Sequence, residues 1–166
     1  MKNLPIVWFL SLALVAGCSS TGNRGGGTAQ VEFINPEKFT DIKSRDIPVE
    51  RMRELLFPDL ERYIQKQARI YIPAGREVTI RITDIDDAGW VNPVGVSHHR
   101  AVRQYQPGRV DFEYVLRDSS GKTLSEGKET LSDLPWDRTD RMYENEQLPL
   151  IKQMLRNWIR KIGRTV

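Results

Sequence analysis

Residues 151–162 read IKQMLRNWIRKI, and no other stretch of the chain indicates its fold so clearly. The apolar side chains recur at intervals of three and four residues, which is the spacing of one face of an α-helix. They are Ile151, Met154, Leu155, Trp158, Ile159 and Ile162. The pattern predicts an amphipathic helix whose apolar stripe covers a hydrophobic core and buries Trp158. Lys152, Arg156 and Arg160 are expected on the opposite, solvated side.

A second helical pattern lies earlier in the chain and contains a proline. Pro48 suits the first position of this helix, and the pattern ends before Ile72. A proline inside a helix removes a hydrogen bond and clashes with the preceding turn, so we expect a break near Phe57, with Pro58 opening a second, longer piece. The C-terminal helix is expected to end at Gly163.

Stretches that alternate between apolar and polar residues predict β-strands. Residues 78–83 and 110–117 are two such stretches, and residues 123–131 form a third that follows a turn sequence. The last two therefore predict a β-hairpin. Residues 31–34 predict a short first strand, and residues 100–105 are a candidate for one more.

The order of these elements predicts an α+β fold, in which two helices pack on one face of a mainly antiparallel sheet of about four or five strands. Within the sheet, Gly127 is expected to mark a β-bulge. The chain has 166 residues, of which 39% are hydrophobic and 28% charged, and its formal net charge is +3. Such a chain supports one domain with a hydrophobic core. A single cysteine excludes an intrachain disulfide and a thiolate zinc cluster.

The N-terminus has the features of an export signal: Lys2 is followed by an apolar run and then by small residues. The run is shorter than the ~20 residues that a membrane-spanning helix needs. Residues 14–18, LVAGC, resemble the lipobox of bacterial lipoproteins. The resemblance implies that residues 1–17 are a cleaved lipoprotein signal peptide and that Cys18 carries the lipid. A soluble exported protein with a cysteine near its cleavage site is the alternative.

Ser19 follows the cysteine at the position where lipoproteins retained in the inner membrane of double-membraned bacteria carry aspartate. The resemblance therefore implies the outer membrane, with the protein on the periplasmic side. Residues 18–30 combine the lipidated Cys18 with a Gly- and Ser-rich flexible tether, whose typical reach is about 19 Å. Residues 31–166 are expected to form a single periplasmic α+β domain.

Three carboxylates crowd the end of one predicted strand, at Asp84, Asp86 and Asp87. Their spacing does not fit a calcium loop, because Ala88 stands where a third ligand belongs. Paired acids also serve as general acid and base in hydrolases. Acids that follow a strand are more often turn residues, helix caps or partners of arginine, and we favour that structural role.

Two loop tryptophans, Trp90 and Trp136, are candidate binding residues because tryptophan is enriched in binding surfaces, although a plug at the open end of the sheet is the interpretation we favour. His98 and His99 are adjacent and point to opposite sides of an extended chain, so a surface pair is favoured over a metal site. The basic side of the last helix fits phosphate-rich lipid or an acidic partner, and a merely solvated side is the interpretation we favour.

Several short motifs resemble a family of exported bacterial proteins known as domain of unknown function 3016. They are VEF at 31–33, PEKFTD at 36–41, ITDID at 82–86, PGRV at 107–110, GKTL at 121–124, LSD at 131–133, and Leu155 with Trp158. The resemblance spans the chain from Val31 to the C-terminus. It implies an exported, often lipid-anchored α+β domain and brings no known activity.

The sequence as a whole predicts a lipid-anchored envelope protein that acts as a non-catalytic binding or structural adaptor. Its expected partners are the membrane, through Cys18, and an envelope protein or the cell wall, with no nucleic acid. No catalytic residue, metal ligand or cofactor is predicted. The alternative is a hydrolase of envelope material that uses Asp84, Asp86 or Asp87.

Overall fold

The computed structural model describes residues 25–40, 49–87, 90–91, 100–101, 107–134 and 147–165. Its elements in chain order are β1 (Thr28–Phe33), a 3-10 turn (Pro36–Lys38), α1 (Val49–Tyr71), β2 (Glu77–Asp86), β3 (Trp90–Val91), β4 (Arg100–Ala101), β5 (Gly108–Arg117), β6 (Thr123–Asp133) and α2 (Pro149–Thr165). No helix in this part of the chain combines the length and apolarity needed to cross a membrane.

The main sheet has four strands in the order β1-β2-β5-β6, and β3 pairs with β4 apart from it. The β5–β6 hairpin is antiparallel, as predicted, and β5 is also antiparallel to β2. Strand β1, however, runs parallel to β2. The reason is that α1 carries the chain back along the sheet, so the strands before and after it point the same way. The α+β class is confirmed, but the sheet is mixed.

Strand β1 starts earlier than predicted, inside the segment assigned to the tether (residues 18–30). Ahead of the strand, Gly27 donates its backbone N–H to the Ile72 carbonyl at 2.9 Å. A Cβ on Gly25 would overlap the Arg69 carbonyl oxygen. The end of the predicted tether is therefore packed against the C-terminal end of α1, at a distance that only glycine allows.

A β-bulge in β2 decides which of its side chains face the core. The alternate residues buried before the bulge are Val78, Ile80 and Ile82. Thr83 is an extra residue in the pairing with β5. The alternation therefore shifts by one position, so that Ile85 is buried and Asp84 lies on the face opposite the core.

Both helices contact the sheet through aromatic rings. Phe57 of α1 stacks on Phe33 of β1, with ring centroids 4.0 Å apart. Trp158 of α2 packs edge-on against Phe112 and Tyr114 of β5, with centroids at 4.7 and 5.0 Å, and is buried as predicted. Helix α1 thus lies over β1 at one edge of the sheet and along α2, which lies over β5 and β6.

Helix α1 runs without interruption through Pro58, so the predicted break near Phe57 is wrong. Pro58 and Glu54 are both exposed. The Glu54 carbonyl, which loses its N–H donor to the proline, can therefore bind water at little cost. Burial of Leu60 and Ile64 on the opposite face holds the helix together.

The two helices run in the same direction and touch at two levels. Lys152 in the first turn of α2 lies beside the middle of α1, with its Nζ 2.8 Å from Asp59 Oδ2. Near their ends, a Cβ on Gly163 would overlap the Tyr71 carbonyl oxygen. Two predictions are corrected here: Lys152 is buried between the helices, and Gly163 is a packing residue inside α2, which continues to Thr165.

Gly127 does not mark a bulge. It pairs with Tyr114 in regular register, and the shift in this hairpin lies between Leu116 and Arg117. A Cβ on Gly127 would lie 3.3 Å from the Tyr114 ring, while the Tyr114 hydroxyl lies 3.0 Å from Ser125 Oγ. The glycine thus makes room for an aromatic ring that lies across the neighbouring strand.

Candidate functional site: the open face of the sheet

The face of the main sheet that points away from the helices, here called the open sheet face, carries mostly polar side chains, which are exposed or half-buried. One row of charged side chains crosses all four strands in register, in the order Glu32, Arg81, Glu113 and Lys128. Arg81 lies 3.2 Å from Glu32 and 3.3 Å from Glu113, and Lys128 Nζ lies 2.7 Å from Glu113. Opposite charges side by side stabilise the register of the strands.

The carboxylate in the middle of this row is held in its charged form. The Lys128 ammonium, by its hydrogen bond and its charge, lowers the pKa of Glu113 below the ordinary value, and Arg81 adds to the effect. The row therefore alternates negative and positive charge at neutral pH, and it presents this pattern to solvent.

Asp84 is fixed at one end of the open sheet face by donors from two other segments. Its Oδ1 accepts the Thr40 backbone N–H at 2.7 Å, and its Oδ2 accepts the Thr40 hydroxyl at 2.7 Å and the Arg109 guanidinium at 2.8 Å. Partial burial raises the pKa of Asp84, but the Thr40 hydrogen bonds and the Arg109 charge together lower it more. Asp84 is thus a carboxylate that ties the segment after the 3-10 turn to β2 and β5.

A second carboxylate, Asp111, lies directly opposite Asp84 in the β2–β5 register. Arg109 lies close to both acids: its guanidinium donates to Asp84, and its Nε is 3.7 Å from Asp111 Oδ2. The bulge residue Thr83 adds to the same cluster by donating its hydroxyl to the Asp111 carbonyl at 3.1 Å. Two buried polar atoms of the cluster, Arg109 Nε and Asp111 Oδ1, have no hydrogen-bond partner within the described structure.

The other two predicted acids follow along the chain. Asp86 ends β2 in register with Arg109, and Asp87 is the next residue, which has a polar partner of its own. Asp84, with donors on both oxygens and a lowered pKa, is a poor general acid, since such an acid must hold a proton near neutral pH. In the structure Asp84 is a partner of one arginine, Arg109.

Several of the predicted residues lie outside the part of the chain that the structure describes: Cys18, His98, His99 and Trp136. Trp90 is in β3, where it pairs with Ala101. Among the described residues, no three His, Cys, Asp or Glu side chains are grouped so that they could hold a metal ion.

The partners of Asp84 were not predicted from the sequence. Thr40 lies 44 positions before Asp84, and no local pattern connects the two. The pairing of Glu113 with Lys128 could have been found, since both residues point outward in the predicted hairpin and the turn fixes their register.

Comparison with solved structures gives matches of low sequence identity. A PelC dodecamer from Paraburkholderia phytofirmans is 13% identical, with 84% of this chain and 86% of that chain covered and a TM-score of 0.36. A minor lipoprotein from Acinetobacter baumannii is 11% identical, with 84% of this chain and 91% of that chain covered and a TM-score of 0.31.

No curated protein matches the chain significantly. The model of the family described as "Protein of unknown function (DUF3016)" matches residues 27–161, which is most of the chain and includes every strand and helix except the last turn of α2. The chain therefore belongs to the DUF3016 family, as the motifs in its sequence indicated.

Proposed function

We propose that this protein is a lipid-anchored protein of the bacterial cell envelope that acts as a non-catalytic binding or structural adaptor. It is held in the outer membrane through Cys18 and faces the periplasm. The single observation that carries the adaptor role is the open sheet face, which is exposed, charged and fixed in register across four strands.

The anchor is supported by the sequence around Cys18. A basic start, an apolar run and the LVAGC motif are the features that a lipoprotein signal requires. More than one acyl chain is needed for stable membrane attachment, and a lipidated N-terminal cysteine with an acylated amine supplies that. Gly25–Gly27 packs against the domain, so the free tether is shorter than the sequence alone predicts.

The cation partners and the charged form of two carboxylates support binding rather than catalysis. Asp84 and Glu113 are both engaged by cations, and both have lowered pKa values. Ionised side chains paired in register across a sheet suit recognition of a complementary charged surface.

The anchor is tested by Cys18→Ser, with Ser19→Asp as a matched variant at the next position. Cys18→Ser should leave the signal uncut and abolish lipid labelling. Ser19→Asp should keep the lipid and move the protein to the inner-membrane fraction. Unchanged lipid labelling of Cys18→Ser contradicts the anchor, and an unchanged membrane fraction for Ser19→Asp contradicts the outer-membrane assignment.

The adaptor role is tested by photo-crosslinking in intact cells. A photoreactive amino acid at Gln30 or Glu126, both exposed on the open sheet face, should give a discrete adduct with an envelope protein or with the cell wall. Ser119, exposed in the turn between β5 and β6, is the control position and should give none. Absence of adducts from the open sheet face, together with substrate turnover by the purified protein, contradicts the adaptor role and favours the hydrolase.

A further inference from the structure

The helix layer carries a basic surface on the side opposite the sheet. Six exposed cations define this basic helix surface: Arg62, Lys66, Arg69, Arg156, Arg160 and Arg164. Helix α2 contains no Asp or Glu, and α1 contains none after Glu61. The acids exposed in α1, Glu50 and Glu54, belong to its first two turns.

The spacing of these cations places them on one side of the layer. Arg62, Lys66 and Arg69 are three and four residues apart, so they form one stripe along α1. The three arginines of α2 are four residues apart and form a second stripe. In each helix the buried residues lie on the other side, so both stripes point away from the sheet.

Two exposed apolar side chains lie on the same stripe of α1. Leu55 and Ile70 are each 49% exposed. Leu55 precedes Arg62 by seven residues, and Ile70 follows Lys66 by four. A helix side that combines basic residues with exposed large apolar residues is typical of proteins that rest on an anionic membrane surface.

The chain enters the domain beside the ends of the two helices that bear this surface. Gly25 and Gly27 contact the backbone of the last turn of α1 and the residue after it, and Gly163 of α2 lies against the end of the same helix. Cys18 precedes Gly25 by seven residues in the sequence, and a flexible chain of that length has a typical reach of about 15 Å. An anchor at Cys18 therefore keeps the basic helix surface within a short distance of the lipid headgroups.

We infer that the basic helix surface binds the anionic phospholipid headgroups of the membrane in which Cys18 is anchored. Arginine and lysine side chains bind phosphate groups, and juxtamembrane basic clusters are attracted to anionic lipid. The inference rests on the proposed function, since the anchor brings this surface to the membrane. It orients the domain so that the open sheet face points away from the bilayer and toward a periplasmic partner.

The test uses the lysines of the chain as reporters. Purified full-length processed protein is bound to vesicles of phosphatidylcholine alone or of an equimolar mixture of phosphatidylcholine and phosphatidylglycerol. It is then labelled with a water-soluble amine reagent and analysed by mass spectrometry. Lys66 and Lys161, both exposed in the helix layer, should be labelled several-fold more slowly on the anionic vesicles. Lys128, exposed on the open sheet face, should be labelled equally on both.

A pair of matched variants separates specific binding from general charge. Arg156→Glu with Arg160→Glu should abolish the protection of Lys66, whereas Arg117→Glu with Lys128→Glu, which changes the net charge equally on the open sheet face, should leave it intact. High salt should also abolish it, because exposed charges are screened.

Equal labelling of Lys66 and Lys161 on the two kinds of vesicle overturns the inference, and so does protection that survives the helix variant. Equal labelling on the two kinds of vesicle is also the result expected if the basic helix surface binds an acidic protein instead of lipid. The mass of the intact purified protein shows separately whether Cys18 is acylated. A chain without acyl groups overturns the proposed anchor, and the same labelling comparison with that chain still decides whether the basic helix surface binds anionic lipid.

Discussion

Lys152 of α2 and Asp59 of α1 form an ion pair, 2.8 Å between Nζ and Oδ2, whose two members differ in burial. The Lys152 side chain is only 7% exposed, whereas that of Asp59 is 38% exposed. Lys152 Nζ also lies 5.4 Å from the centre of the Tyr63 ring. The pair therefore joins a buried ammonium to a carboxylate that remains accessible to water and lies 3.7 Å from Arg62.

Because the two side chains differ in burial, replacing Asp59 and replacing Lys152 should lower the free energy of unfolding by different amounts. Asp59→Asn leaves a buried ammonium without its carboxylate and should lower the free energy of unfolding by about 3 kcal/mol, the lower end of the range for broken buried pairs. Lys152→Met keeps the volume and leaves a half-exposed carboxylate, so about 1 kcal/mol is expected. Denaturant unfolding of the two variants measures the difference, and a larger loss in Lys152→Met would contradict it.

Gly163→Ala should destabilise the domain, although alanine is the better helix former. The added Cβ has no room against the Tyr71 carbonyl, so the helices must move apart, and such overpacking costs about 1–3 kcal/mol. Asn157→Ala, at an exposed position of the same helix, should instead raise stability slightly. Thermal unfolding of both variants is the measurement. A stability gain in Gly163→Ala would show that the two helices do not meet there.

Trp158→Ala removes the ring that packs against Phe112 and Tyr114. The loss of a large buried aromatic side chain costs about 3–5 kcal/mol. That corresponds to a fall in the melting temperature on the order of 10 °C for a domain of this size. A melting temperature close to that of the parent would show that α2 is not held on the sheet by this residue.

Asp84→Asn should change how stability depends on pH. Because its pKa in the folded protein is below the ordinary value of 3.8, the charged carboxylate contributes stability above about pH 4, and this contribution is lost as the pH falls further. The parent should therefore lose stability more steeply below pH 4 than Asp84→Asn. Arg109→Gln should also make the loss of stability below pH 4 less steep. Lys66→Gln, which removes one distant positive charge, should not. Identical acid unfolding of parent and Asp84→Asn would contradict the contacts described for Asp84.

The elements with strong local periodicity were predictable from sequence. The apolar stripe of α2 and the alternation in β5 and β6 depend on neighbours within one or two turns or along one strand. The hairpin turn is equally local: Asp118 Oδ1 accepts the Ser120 hydroxyl at 2.6 Å, and this hydrogen bond lowers the pKa of Asp118.

The features that sequence reasoning missed depend on residues far apart in the chain. The parallel pairing of β1 follows from the path of α1 across the sheet, which periodicity does not reveal. Lys152 has a charged side chain and so was expected in solvent, but it is buried between the helices, where it pairs with Asp59 of the other helix. For Asp84, the sequence suggested an arginine partner, yet only the fold identifies Arg109 and Thr40.

Strand β1 is both an edge of the sheet and the segment through which the N-terminus joins the domain. Its six residues pair with Glu77–Ile82 of β2 over their full length. A force that pulls the N-terminus along the strand axis loads all of these pairings side by side, so the strand must slide past β2 as a whole before any of it comes free. The same force directed across the sheet would open the pairings one after another. The mechanical strength of a domain held by its N-terminus therefore depends on the direction of the pulling force relative to the axis of β1.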